Sequence, residues 1–146
     1  MAAMSDYLEN KLIDALFRGQ SFTFPTTVYA ALYTANPTDS SAGTEVTGGS
    51  YARVAITCST ANFAGTQSAG STTASSGTSG TTSNNIVITF PAPTANWGTV
   101  TGVALMDAST SGNVLVYGAL STSKVVNSGD AAPTFPAAAL SYQIDN

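Results

Sequence analysis

At 146 residues the chain has the size of one domain, and its apolar share of 43% is enough to build a hydrophobic core. Charged residues make up only 8%, against a usual share of about 25%, and Thr, Ser, Gly and Ala take their place rather than the Glu, Lys and Pro of disordered chains. A net charge of −4 without any run of Lys or Arg excludes electrostatic capture of nucleic acid or of an anionic membrane, and so thinly charged a surface suits a protein that works inside an assembly.

The chain starts with no basic stretch leading into an apolar run, so no secretory signal is expected. Nor does any uncharged apolar stretch approach the roughly 18 residues of a membrane helix. The first predicted element is a helix from Asp6 to about Arg18. Asp6 and Glu9 have capping-box spacing, with Ser5 as an alternative cap, and Gly19 is a plausible stop. Leu8, Leu12, Ile13, Leu16 and Phe17 recur at helical intervals as one apolar stripe, while Lys11, Asp14 and Arg18 take the other side. About three turns are too few to be stable alone, so this stripe must dock on the domain itself or on a neighbour. Residues 1–20 therefore read as an N-terminal docking helix or arm.

After Gly19 the hydrophobic period turns from helical to alternating. Val28–Thr34 is a strong strand candidate, followed by Tyr51–Cys58, Ile86–Phe90, Val100–Met106, Val114–Leu120, Lys124–Asn127 and Ala139–Ile144. Turn-forming segments separate them, such as Asn36–Asp39, Pro91–Pro93, Ser111–Asn113 and Ser128–Asp130. Short strands at this spacing predict a mainly β fold over residues 21–146, an antiparallel β-sandwich or jelly roll, with the short amphipathic helix in front. A Gly/Ser/Thr-rich insertion at about 65–85 interrupts it. That tract reads as a long surface loop; the alternative is that its Thr-rich parts pair as strands once a neighbour supplies an edge. Cys58, the single cysteine, is expected to be a buried small hydrophobe.

The inventory of reactive groups is short. Histidine is absent and no charged residue occurs from Val54 to Met106, which removes Ser-His and Cys-His dyads and the commonest metal ligand. Asp39, Glu45, Asp107 and Asp130 fall in expected turns or loops, where carboxylates serve the backbone; a calcium site or a catalytic pair is the sharper alternative. The reading is of a non-enzymatic protein with no cofactor and no metal. Of the aromatics, Tyr29, Tyr33, Tyr51, Tyr117 and Tyr142 sit in expected strands, and Trp97 reads as an inward-packing lid. Glu45 and Arg53 flank the Gly48-Gly49 turn and could pair across a hairpin, as a surface pair worth at most about 1 kcal/mol.

Three stretches carry a resemblance. They are Ser5–Gln20; Val28–Asp39 continuing through Gly43–Val46 to Gly48–Arg53; and Ile88–Pro91 with Ala95–Thr101, followed by Gly112–Leu120. Together and in this order they resemble a family of small virion proteins of tailed bacteriophages, labelled tail-fibre-like or capsid-decoration (cement) proteins. The resemblance implies a structural component of the virion, assembled in the host bacterial cytoplasm, and brings no catalytic residues. Low charge, the lack of chemistry and the apolar helix make the leading expectation a decoration protein bound to the outer shell, with the phage major capsid protein or another virion protein as partner and a homotrimer as the oligomer. A tail-fibre or baseplate protein contacting the host surface is the alternative.

Overall fold

A computed structural model describes residues 3–144. The elements in chain order are β1 (Ala3–Met4), α1 (Asp6–Phe17), β2 (Thr27–Ala35), β3 (Thr44–Glu45), β4 (Val54–Thr57), β5 (Thr81–Ser83), β6 (Ile88–Thr89), β7 (Gly98–Met106), β8 (Val114–Val126), β9 (Thr134–Phe135) and β10 (Ser141–Gln143). The fold is mainly β and antiparallel throughout, with one short N-terminal helix.

The main sheet runs β1-β8-β7-β2, and the far edge of β2 is shared. Thr27–Ala30 pair with β4, and Tyr33 and Ala35 pair with β3. β2 is central because its β-branched and aromatic residues can bury side chains on both faces. On one face Val28, Ala30 and Leu32 join Val103, Leu105 and Leu115. Ile88, Phe90, Trp97, Leu140 and Tyr142 cover them from the second layer, built around the small ladders β5–β10 and β6–β9. The arrangement is sandwich-like, with one large sheet and one thin layer. On the other face Ala31 and Ala104 lie fully buried between Tyr33 and Met106, with Tyr29 and Tyr117 packed against them. Gly102 pairs with Tyr33 here, and a Cβ on it would strike the side chain of Asn36 and the carbonyl of Gly118.

Several boundaries differ from expectation. Val114–Leu120 and Lys124–Asn127 join in one strand, β8, yet the ladder with β7 still breaks between them: Thr101 alone faces the four residues Leu120–Ser123. The polar Ser121-Thr122-Ser123 run is an excursion of the strand rather than a turn. Tyr51–Cys58 shrinks to β4, so Cys58 falls just beyond the last pair, Thr27–Thr57. The cysteine is exposed, not buried. Ile86–Phe90 and Ala139–Ile144 shrink to β6 and β10.

The uncharged tract is mostly a loop tied to itself. Its neck is closed by the Phe63–Asn84 bridge and by Ala64 N–H donating to Ser83 O at 2.9 Å. Inside, the Gln67 amide donates to Ser71 Oγ, Thr73 Oγ1 and Ala74 O and accepts from Ser76 N–H. Only Thr81–Ser83 pair as a strand, and the edge comes from β10 of the same chain rather than from a neighbour.

Candidate functional site

The expected docking helix begins inside the sheet. β1 pairs with Tyr117 and Val116, and Ser5 N–H donates to Leu115 O at 3.0 Å. Ser5, buried, is the N-cap: its hydroxyl donates to Val114 O and accepts from Leu8 N–H at 3.3 Å. At the other end Gly19, at φ +67°, turns the chain so that Gln20 N–H reaches back to Asp14 O.

The root of α1 is thus fixed, and its apolar stripe divides along its length. Leu8 packs on the main core beside Tyr7, and Leu12 is half-buried. Ile13, Leu16 and Phe17 are 49%, 72% and 81% exposed. The segment leaving the helix adds Phe22 and Phe24, edge-to-face at 4.8 Å, with Phe24 also exposed. These large apolar groups lie on the surface and outside the folding core. The Asp14–Arg18 pair at 3.4 Å supplies the polar side of that tip.

The motif residues Glu45, Gly49, Tyr51, Arg53 and Trp97 converge on a second place. Arg53 Nε and Nη2 donate to the two Glu45 oxygens at 2.8 and 2.7 Å, and Nη1 donates to Ala108 O and Ser111 O at 2.6 and 2.7 Å. The Arg53 side chain is only 7% exposed, so the expected surface pair is a shielded clamp tying β3 to the loop between β7 and β8. Tyr51 donates its hydroxyl to Glu45 and accepts from Leu32 N–H, both at 2.9 Å. Burial above all pushes the Tyr51 hydroxyl pKa far up, and Tyr33 is raised by burial and by the Glu45 charge. The Glu45 hydrogen bonds raise Arg53. Trp97 is an inward lid, stacked edge-on against Tyr51 at 5.3 Å and donating Nε1–H to Gly49 O at 3.0 Å. This knot is saturated with internal partners and presents no free acid or base.

Two of the loop carboxylates serve turns. Asp107 accepts from the backbone and side chain of Asn113, and Asp130 accepts from Asn127 N–H. Asp39 accepts from the Tyr117 hydroxyl. Glu45 departs from the expected loop position and lies in β3. Among the described residues no three acids or cysteines converge as metal ligands. Asn84, almost fully buried, is a structural centre that the sequence reading passed over. It donates to Ile86 O and Pro136 O, both at 2.8 Å, and accepts from Leu140 N–H, fixing the second layer.

A family model described as podophage GP4 fiber I protein gp80 matches residues 3–143. No curated protein matches the chain.

Proposed function

The chain belongs to this family of podophage fiber proteins, and from that premise we propose that it is a non-enzymatic part of the fibre, seated on another virion protein by the exposed tip of α1. Membership makes it a structural phage protein and a component of the virion; the address within the particle and the mode of seating are the proposal. One observation carries it: Ile13, Leu16 and Phe17 stand clear of a domain whose other large apolar groups are mostly packed. The partner is a second virion protein or a sister subunit in a trimer. The non-enzymatic reading is supported by carboxylates engaged in turns and in the Arg53 clamp.

Decoration of the capsid shell is the second reading, favoured by the same apolar tip and the thinly charged surface. Copy number separates the two, because a shell lattice takes hundreds of copies and a fibre takes tens or fewer. Particles assembled with a Leu16→Ser, Phe17→Ser chain are expected to lack it, although the isolated variant melts like the parent. Full incorporation of that variant would refute seating through α1.

A further inference from the structure

Between β8 and the segment that leads into β9 lies a cavity of about 310 Å³. Leu32, Val100 and Val126, each 2% exposed, seal its bottom, and the partly exposed Leu120, Pro133 and Phe135 form its reachable walls. The rim carries one charge of each sign, Lys124 and Asp130, both exposed. Neither has an ion-pair partner among the described residues, whose salt bridges are Asp14–Arg18 and Glu45–Arg53. One oxygen of Asp130 accepts from Asn127 N–H, and the other has no donor among those residues.

Apolar walls between two unpaired opposite charges fit an apolar group flanked by the same two charges in reverse. The chain carries one at the free end of α1. There Leu16 and Phe17 are 72% and 81% exposed, with Asp14 three residues before Phe17 and Arg18 directly after it. The Asp14–Arg18 pair is open to water, which screens it and leaves it free to exchange for other partners. The last turn of α1 holds no basic residue, although the partial negative charge of a helix C-terminus favours one, and Lys124 supplies it. Arg18 then faces Asp130. Two other cavities lack this match: the one beside the β8 excursion has no charged residue, and the one beside Arg53 has its charges already engaged. No residue of α1 lines the cavity, so a chain does not fill it with its own tip. The volume suits one or two large side chains rather than a whole helix of about 10 Å diameter.

We propose that this cavity receives Leu16 and Phe17 of a second copy of the chain, with Lys124 against Asp14 and Asp130 against Arg18. The proposal rests on seating through α1 and names the sister subunit as the seat. Each copy gives one tip and receives one, so the assembly closes on itself, as a reciprocal pair or a larger ring.

The test is sedimentation velocity of the full chain across about 1–100 μM, where contacts of micromolar strength saturate. The parent is expected to form a closed oligomer of defined mass that dissociates on dilution. Lys124→Glu reverses an exposed charge and is expected to weaken association about fivefold at low salt, with the melting temperature of the dilute chain unchanged. Adding Asp14→Lys to that variant is expected to restore the parent strength, which a merely structural role of Lys124 does not predict. Ala132→Trp, which fills the mouth from within the same chain, is expected to abolish association; should it fail to fold, the charge pair still decides. A parent that stays monomeric at 100 μM overturns the proposal, as does an oligomer indifferent to Lys124→Glu and Ala132→Trp. A monomeric parent whose Lys124→Glu variant is lost from particles assigns the cavity to a different virion protein and also refutes self-docking. Seating through α1 is judged separately, by incorporation of the Leu16→Ser, Phe17→Ser chain, so either idea can fall without the other.

Discussion

The guanidinium of Arg53 has an acceptor for each of its three nitrogens, and this forked geometry is something Lys cannot reproduce. Arg53→Ala leaves Glu45 with only the Tyr51 hydroxyl and two loop carbonyls without this donor, and is expected to cost about 3 kcal/mol in urea unfolding. Arg53→Lys should recover less than half of that loss. A second residue-scale effect is alkaline. The hydrogen bond to Asp39, then burial, pushes the Tyr117 hydroxyl pKa up from its ordinary 10.0 to about 12. A raised folded-state pKa gives a contribution that is complete below pH 10 and fades as pH rises toward 12. Tyr117→Phe should remove that step from the stability profile, read by thermal melts between those limits. The Glu45–Arg53 pair was legible because both residues flank a Gly-Gly turn. Its shielding was not, since the carbonyls of Ala108 and Ser111 lie 55 and 58 positions away. Asn84 was hidden for a related reason: an amide at the end of a Ser/Thr tract looks like loop chemistry until Pro136 and Leu140 are brought to it.

At the scale of elements, α1 has two functions at its two ends. Its root completes the sheet edge through β1 and Ser5, and only its tip is free. Deleting residues 1–19 therefore removes a strand and a buried cap as well as the exposed tip, and is expected to lower stability measurably in urea. The tip variant should stay within about 0.5 kcal/mol of the parent in the same assay. The helix and the long strands β2 and β7 were readable from period alone, since nine to twelve residues carry a clear repeat. Two-residue strands such as β1, β3 and β9 contain no period to read, and partners from distant segments define them. The break in β8 was visible as the polar Ser121–Ser123 run, although its meaning as an excursion needed the register with β7.

For the whole molecule, scarcity of charge governs behaviour in solution. With eight acids, four bases and no histidine, little repulsion remains once the carboxylates protonate. Solubility is expected to pass through a sharp minimum close to the isoelectric point of about 4.2, measured by turbidity across pH. The sheet buries its two faces by different means, one under a second layer and one under its own tyrosines. Fold class followed from alternation and turn residues, whereas the thinness of the second layer did not, because its contributors are separated by loops of low complexity.

The tied-off tract has a practical use. Its ends meet at the Phe63–Asn84 bridge whatever lies between them, and lengthening a closed loop costs little because the entropy grows only with the logarithm of its length. Thr78 takes no part in the Gln67 network. An epitope spliced in after Thr78 should leave the melting temperature within a few degrees of the parent and be recognised by its antibody on the purified chain. The segment is then a cassette through which a virion could carry foreign peptides.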